Sequence, residues 1–542
     1  MRFARSLSLL AATTLVACAA PTAARPTTHA ALAELFTDWR AFQAPVRVSG
    51  IPDYRADAMD RQHRALAGFR ARLAAFDTTG WSIADQVDWH LIRAEMNGLD
   101  FDHRVLRPWE RNPGFYVTFF NEQSDQPARE GPWAWGAVEL WAETQPLSSA
   151  RAAAIDSGVR RIPALLAQAR GNLTGDGADL WRFGAKAVAE QAAALAAFDA
   201  TLEASPLKTS VQRARAASDS FAQWVTAQVP NKHAPSGIGE ANYDWYLKHV
   251  QLVPLTYREE KALIERELGR AQSFLALEEA RNRAVPAQVP VASAEEHARR
   301  FGAAVTSYVE FLRSHDLYPV QPWTDSVLRQ RIGSFTPGPR EFFTEVDYRD
   351  PMVMRTHGYH WIDLGWMEIA PHKNPIRRGP LLYNIFNTRT EGHATGWEEM
   401  MLQAGMFDAQ PRSRELIYVL LGQRAARALG ELLMHGEGAS LEEAAQFAVA
   451  HTPRGWLRSD ANTVRFEQHL YLAQPGYGTS YVIGKWEIER LFADLKRRQG
   501  DAFALRPTMA AFDAAGLIPA SLLRWEMTGS LPPETAAMLH GR

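Results

Sequence analysis

The chain has 542 residues, of which 46% are hydrophobic and 22% charged, with a formal net charge of -2. Such a balance is that of a globular protein, and the length exceeds what one simple core usually organises, so two or more lobes are expected. The near-zero charge excludes a general nucleic-acid binder, which would need a surplus of cations to neutralise phosphates.

The N-terminus reads as an address. Arg2 and Arg5 precede an apolar run from Leu7 to Val16 that ends in Leu15-Val16-Ala17-Cys18. A basic start, a short apolar stretch and small residues make a secretory signal, and the run is too short for a comfortable permanent span. Cys18 is the only cysteine, so no internal disulfide is possible. It stands where a bacterial lipoprotein signal places the residue to be lipidated; the other reading is an ordinary signal peptide cut near Ala20 or Ala24. Ala19 after the cysteine points to the outer membrane, facing the periplasm, with the lipid as the only membrane contact. Residues 1–18 are thus a signal and 19–29, with Pro21 and Pro26, a tether.

Beyond it the pattern is mainly α. Leu32, Leu35, Phe36 and Trp39, then Leu66, Phe69, Leu73 and Phe76, recur at three- and four-residue steps. Thr78-Thr79-Gly80 breaks the run and Ser82 caps the next helix, with Asp85 three residues on. The prolines and glycines of residues 107–135 predict an irregular connection. Helices are expected near Ala137–Glu143, Ser148–Gly171, Ala178–Ala204 and Ser210–Val229, then, after a break at 230–240, at Asn242–His249, Tyr257–Val285 and Ala292–Asp316. Pro319, Pro322, Pro337 and Pro339 interrupt the pattern, and Leu328–Phe335 is expected to pair as a strand in a small sheet near 325–350. Helices resume at Arg412–Met434, Ser440–Ala450, Asn462–Leu472 and Gly478–Gln499. The expected architecture is a large two-lobed helical bundle with a central cleft, divided into lobes 30–230 and 231–542.

Chemistry concentrates in 357–398. His357-x-x-His360-x-x-Asp363 has one-turn spacing, so on one helix the three side chains share a face and could share an ion. Glu391, in Thr390-Glu391-Gly392-His393-Ala394-Thr395-Gly396-Trp397-Glu398-Glu399, could complete the set from the next helix, with Glu398 two turns on along the same face. The small residues around Glu391 allow close helix approach, where a buried carboxylate needs a partner. Against this, His357 and His360 could be metal-free interfacial histidines, and Glu398-Glu399 a solvated face. Tyr481 follows a Gly-rich turn into a helix and could donate to a developing oxyanion, or simply pack there. His435 could end its helix favourably as a cation.

Six segments in order resemble the bacterial DUF885 family. They are Asp85–Leu91; Gly237–Leu247 with Tyr243, Trp245 and Tyr246; Glu391–Glu398, resembling Glu-Gly-Trp-Ala-Leu-Tyr-Ala-Glu; Arg427, Glu431 and His435; Pro475–Gly484; and Gly516–Pro519. The resemblance spans nearly the whole mature chain and implies a helical zinc-peptidase-like protein with a gluzincin-type site. It implies His357, Asp363 and Glu391 as ligands with His360 as substitute, Tyr481 at the oxyanion, Arg427 or His435 orienting substrate or site, and Glu398 as a supporting group or replacement base. His393 then falls at an aromatic position.

The chain departs from that pattern at one point. The family carries His-Glu-x-x-Pro-Gly-His-His about thirty residues before the Glu-Gly helix. Aligned on His357, the general-base Glu becomes Gly358 and a later His becomes Asp363; aligned on Gly358 and His360, the first His and the Glu are lost instead. Losing the base typically costs roughly 10²–10⁴ in rate. The expected function is an envelope lipoprotein resembling zinc metallopeptidases, with carboxypeptidase-like hydrolysis of a peptide-like bond using Zn²⁺ if it is active. Two alternatives stand beside it: an inactive relative that binds peptides or an envelope partner, and a non-haem iron enzyme, which two histidines and a carboxylate also suit.

Overall fold

The structure is a computed structural model and describes residues 27–540 except 122–123, 125–130, 142–145 and 384. The signal segment, Cys18 and most of the expected tether lie outside the described residues. The first helix, His29–Gln43, starts where Thr28 accepts a hydrogen bond from the Ala31 amide, and Trp81 Nε1 donates to the Thr27 carbonyl at 2.8 Å.

The architecture is mainly α. Most helices fall where apolar periodicity places them, and side-chain caps fix their starts. Ser82 accepts from the Asp85 amide to open Ile83–Phe101, and capping boxes open Tyr257–Arg281 (Thr256 with Glu259) and Leu441–His451 (Ser440 with Glu443). The alanine-rich segment forms the helix Ala178–Thr201, which buries Trp181, Leu195 and Phe198 and packs on Pro206–Gln228.

Three expectations change. Residues 325–350 hold no strand; they form the helices Thr324–Gln330 and Phe342–Arg349. The prolines flank these helices rather than interrupt them, Asp325 pairs with Arg329 one turn on, and Val327 and Leu328 are buried. In place of a helix at Ala137–Glu143, Val138–Glu139 lies parallel to Phe119–Phe120. The long helix at Ser148–Gly171 is two, Ser149–Val159 and Ile162–Asn172, because Pro163 cannot donate within a continuing helix but suits a first turn. The only other described sheet is the hairpin Arg47–Val48 with Ile51–Pro52.

One core joins the two ends of the chain. Leu32, Trp39 and Leu91 pack in the same buried cluster as Ile483, Leu522 and Leu539. Tyr116, Trp181, Leu195 and Phe221 belong to a second cluster. The larger core therefore crosses the boundary expected at residue 230.

At its centre the helix Asn387–Gln403 lies against Tyr477–Gln499. They meet at glycines: a Cβ on Gly392 would stand 2.3 Å from Gly484 Cα, and one on Gly484 would stand 2.1 Å from the Thr388 carbonyl oxygen. With no side chain between them, the backbones approach closely enough for Tyr477 and Tyr481 to reach Glu391.

Candidate metal centre

Five elements build the centre. Pro351–His357 supplies His357, Tyr359–Ile369 supplies His360, Asn387–Gln403 supplies Glu391 and Glu398, Pro411–Gly436 supplies Arg424 and Arg427, and Tyr477–Gln499 supplies Tyr477 and Tyr481. His357 and His360 do not share a continuous helix, for Gly358 ends one and begins the next.

His357, His360 and Glu391 converge. Their potential ligand atoms lie within 4.8 Å of one another, and all three residues are buried. Glu391 Oε2 is 3.8 Å from His357 Nε2 and 3.7 Å from His360 Nδ1. Ligands at zinc distances in a tetrahedron stand about 3.4 Å apart, so small side-chain rotations suffice to close the set on an ion. Glu391 Oε1 accepts hydrogen bonds from Tyr477 OH at 2.8 Å and Tyr481 OH at 3.0 Å, which aim the carboxylate.

Behind His357, Glu398 Oε1 lies 2.9 Å from Nδ1, and Arg424 donates to both Glu398 oxygens at 2.7 and 2.8 Å. Arg424 Nη2 also stands 3.1 Å from Nδ1. A guanidinium only donates and a carboxylate only accepts, so Nδ1 can serve one of them. A proton on Nδ1 satisfies Glu398 and leaves the Nε2 lone pair toward Glu391, the carboxylate–histidine arrangement that metal ligands use.

The electrostatics suit a cation. Burial, and then the charge of Arg424, pushes His357 below its ordinary imidazole value and so favours its neutral form. Burial pushes Glu391 up, but its hydrogen bond with His360 and the nearby histidines outweigh this and hold it at about 2. A neutral imidazole beside an ionised carboxylate is the protonation state that a divalent ion requires. Burial and the Glu391 charge raise Tyr481 well above its ordinary value, so it remains a donor.

The remaining expected residues take other places. Asp363 is not in the cluster: Arg389 Nη1 pairs with it. Arg389 and Glu391 are two residues apart, about 200° around their helix, so Asp363 and His360 meet different faces. Glu398 is bound on both oxygens and holds His357 rather than standing free as a base. Arg427 pairs with Glu467 and lies 5.2 Å from the Tyr481 ring, flanking the phenol. His435 is three turns beyond Arg424, where its Nε2 lies 3.1 Å from the Tyr471 carbonyl oxygen and its ring packs on Tyr243. His393 sits among aromatic rings, 4.2 Å from Tyr359 and 4.6 Å from Phe512.

Sequence reasoning missed Arg424, Tyr477 and the positioning role of Glu431. Glu431 accepts from Tyr243 OH at 2.8 Å and from the amides of Gly476 and Thr479 at 2.5 and 3.1 Å, anchoring the first turn of the tyrosine helix. Tyr477, one turn before Tyr481, was findable by helical spacing; Arg424 was not, because its partners come from two other helices.

The model of the bacterial protein family of unknown function DUF885 matches residues 43–332 and 360–527. The chain belongs to this family. The DUF885 match leaves out 333–359, the interval that contains His357 and Gly358, and resumes at His360. Two solved structures share the fold. One, described as a putative lipoprotein of unknown function from Shewanella oneidensis, aligns over 93% of this chain and 100% of its own at 16% identity, with a TM-score of 0.65. The other, described as the putative lipoprotein from Colwellia psychrerythraea, aligns over 93% and 99% at 14% identity, with a TM-score of 0.60. No curated protein matches this DUF885 chain. None of its described helices is long and apolar enough to cross a membrane.

Proposed function

We propose that this protein is a lipid-anchored envelope hydrolase that uses a divalent metal ion, zinc by its donor set, to cleave a peptide-like bond. The observation that carries the reading is the convergence of His357, His360 and Glu391, buried and with His357 oriented by Glu398. Two imidazoles and one carboxylate leave a fourth position for substrate or water in a tetrahedral site. When bound, the ion supplies Lewis acidity toward the scissile carbonyl. The chain's own groups do the rest. Glu398 and Arg424 fix His357, Tyr477 holds Glu391, and Tyr481, the more exposed of the two phenols, is the donor a carbonyl oxygen would meet as it gains charge. The anchor rests on the basic start, the apolar run and Cys18, and is in keeping with the lipoprotein descriptions of both structural neighbours; the outer membrane and the periplasm are part of this proposal.

A specific observation favours a second reading, an inherited centre that binds peptides without turnover. Gly358 offers no carboxylate, and Glu398 is committed to Arg424 and His357.

Elemental analysis of purified protein and of Glu391→Gln separates these. The proposal expects about one zinc per chain in the wild type, cleavage of a peptide library after zinc is supplied, and loss of both in the variant with the helical fold retained. Zinc without cleavage moves the protein to the second reading. No bound metal and no cleavage overturns the centre, and iron with oxygen-dependent turnover would replace it with oxidative chemistry.

A further inference from the structure

A cavity of about 60 Å³ lies where Tyr54, Trp109 and Trp133 from one half of the chain meet Leu382 and Tyr383 from the other. By the measure in which one water needs roughly 10–15 Å³, it has room for a head group rather than a whole ligand. Leu382 is exposed and Trp133 half-buried, whereas Tyr54, Trp109 and Tyr383 are buried, so the space runs inward from the surface. Asp102, at the wide turn that follows the helix Ile83–Phe101, also lines it. Gly98, one turn before Asp102, admits the Tyr383 ring: a Cβ there would stand 2.4 Å from Tyr383 Cγ.

Asp102 is the one charged side chain among the described residues that line this cavity. Tyr383 OH donates to its Oδ2 at 3.0 Å. No described group donates to Oδ1, and that oxygen is not sealed off: Asp102 keeps 8% of its surface open. Burial pushes the carboxyl up to about 7 despite the Tyr383 hydrogen bond, and the neighbouring charge of Glu95 adds to the rise. Glu95 itself has Gln43 at 2.7 Å and Arg40 at 3.8 Å. Asp102 thus lacks the cation that would offset its desolvation.

These features choose between occupants. An anion would meet Asp102 with no lysine, arginine or histidine in the wall to receive it. A wholly apolar group would leave Oδ1 without a donor. A cation satisfies the carboxylate, and aromatic rings such as those of Trp109, Trp133 and Tyr246 attract positive charge as well.

We propose that this cavity receives a primary alkylammonium head, which donates to Asp102 Oδ1 while its methylene stem passes Leu382 and Trp133 toward the surface. No residue that lines it belongs to the metal centre, so the site stands or falls independently of the hydrolytic reading.

The test is a ligand-observed NMR titration of the full chain with three probes of similar shape and different charge: n-butylamine, n-butanol and butyrate. It is run at about pH 8, where Asp102 is ionised and the amine still protonated. The amine is expected to bind saturably, and the neutral and anionic probes at least about tenfold more weakly. Asp102→Asn should remove that preference. Because this variant could fail to fold, Leu382→Lys serves as the second. At this exposed position a lysine either repels a cation at the mouth or itself reaches Asp102, so n-butylamine should bind at least about fivefold more weakly while metal content and thermal midpoint stay unchanged. Nα-acetyl-lysine amide separates the two sources of such a head: binding at least as tight as that of n-butylamine assigns it to a lysine side chain, weaker binding to a free amine, and both keep the site. Equal affinity for the three probes, no saturable binding by the wild type, or undiminished binding by Leu382→Lys overturns the proposal.

Discussion

Gly358 shows how closely the centre is built around what it lacks. A Cβ at this position would stand 2.6 Å from Trp361 Cε3, 2.9 Å from Trp361 Cζ3 and 3.1 Å from the Arg355 carbonyl oxygen. The indole occupies the room a side chain would need. Restoring a carboxylate by Gly358→Glu is therefore expected to cost about 1–3 kcal/mol through overpacking, read as a lower urea midpoint. It should bring no gain in peptide hydrolysis. A gain in turnover at unchanged stability would mean that Trp361 moves aside easily and the base position is open. Other residues at this scale lean on partners in the same way: Glu398 orients His357, and Arg424 holds both oxygens of Glu398.

At the scale of elements, the tyrosine helix is the piece that must be placed accurately, and Glu431 places it. Its carboxyl takes two amides of the first turn and the Tyr243 phenol. Burial raises Glu431 to about 7 despite these donors. The sign follows from proton counting. Between its ordinary value near 4.5 and 7 the folded protein holds the proton more tightly than the unfolded chain, so stability falls as pH rises through this window and is level above it. Glu431→Gln, which cannot titrate, should be less stable than wild type at low pH because an acceptor is lost, but should show a flatter pH dependence between about 5 and 7. Urea midpoints across that range check it; parallel profiles would show that Glu431 does not titrate there.

Element type and the Glu391–Glu398 segment were legible in the sequence because both depend on local pattern: apolar spacing, caps, and small residues around a carboxylate. The fate of Asp363 was not. It shares a continuous helix with His360, one turn on, yet Arg389 takes its carboxylate while His360 meets Glu391, and those two partners stand on different faces of another helix. Partners across helices were equally hidden: nothing near residue 424 announces Glu398. Several residues of the motifs that carried the family resemblance hold this fold together. Tyr243 and Glu431 hold a helix start, Gly392 and Gly484 allow a crossing, and Asp88 joins a buried ion-pair hub.

That hub belongs to the scale of the whole molecule. Arg377 donates Nε to Asp88 Oδ1 at 2.6 Å, Nη1 to the Ala515 carbonyl at 2.7 Å, and Nη2 to Glu526 at 2.9 Å and to the Ala84 carbonyl at 3.0 Å. Asp88 also receives Asn374, and His29 Nε2 lies 2.7 Å from its second oxygen. Residues near both ends of the chain are thus joined through one guanidinium. Replacing one partner leaves the others buried without compensation, so Asp88→Ala is expected to cost about 3–5 kcal/mol. The measurement is equilibrium urea unfolding, with metal content as the control that the distant centre is intact in the surviving folded fraction. A loss below about 1 kcal/mol would place this network among pairs of little energetic weight.

The same hub has a mechanical consequence. If the protein hangs from a membrane by a lipid on Cys18, any drag on its body enters the fold at Thr27 and His29. Trp81 grips the Thr27 carbonyl, and His29 passes load to Asp88, then through Arg377 to Glu526 near the far end of the chain. A pull entering at Thr27 would thereby be shared with contacts near the other end of the described chain instead of falling on the first helix alone.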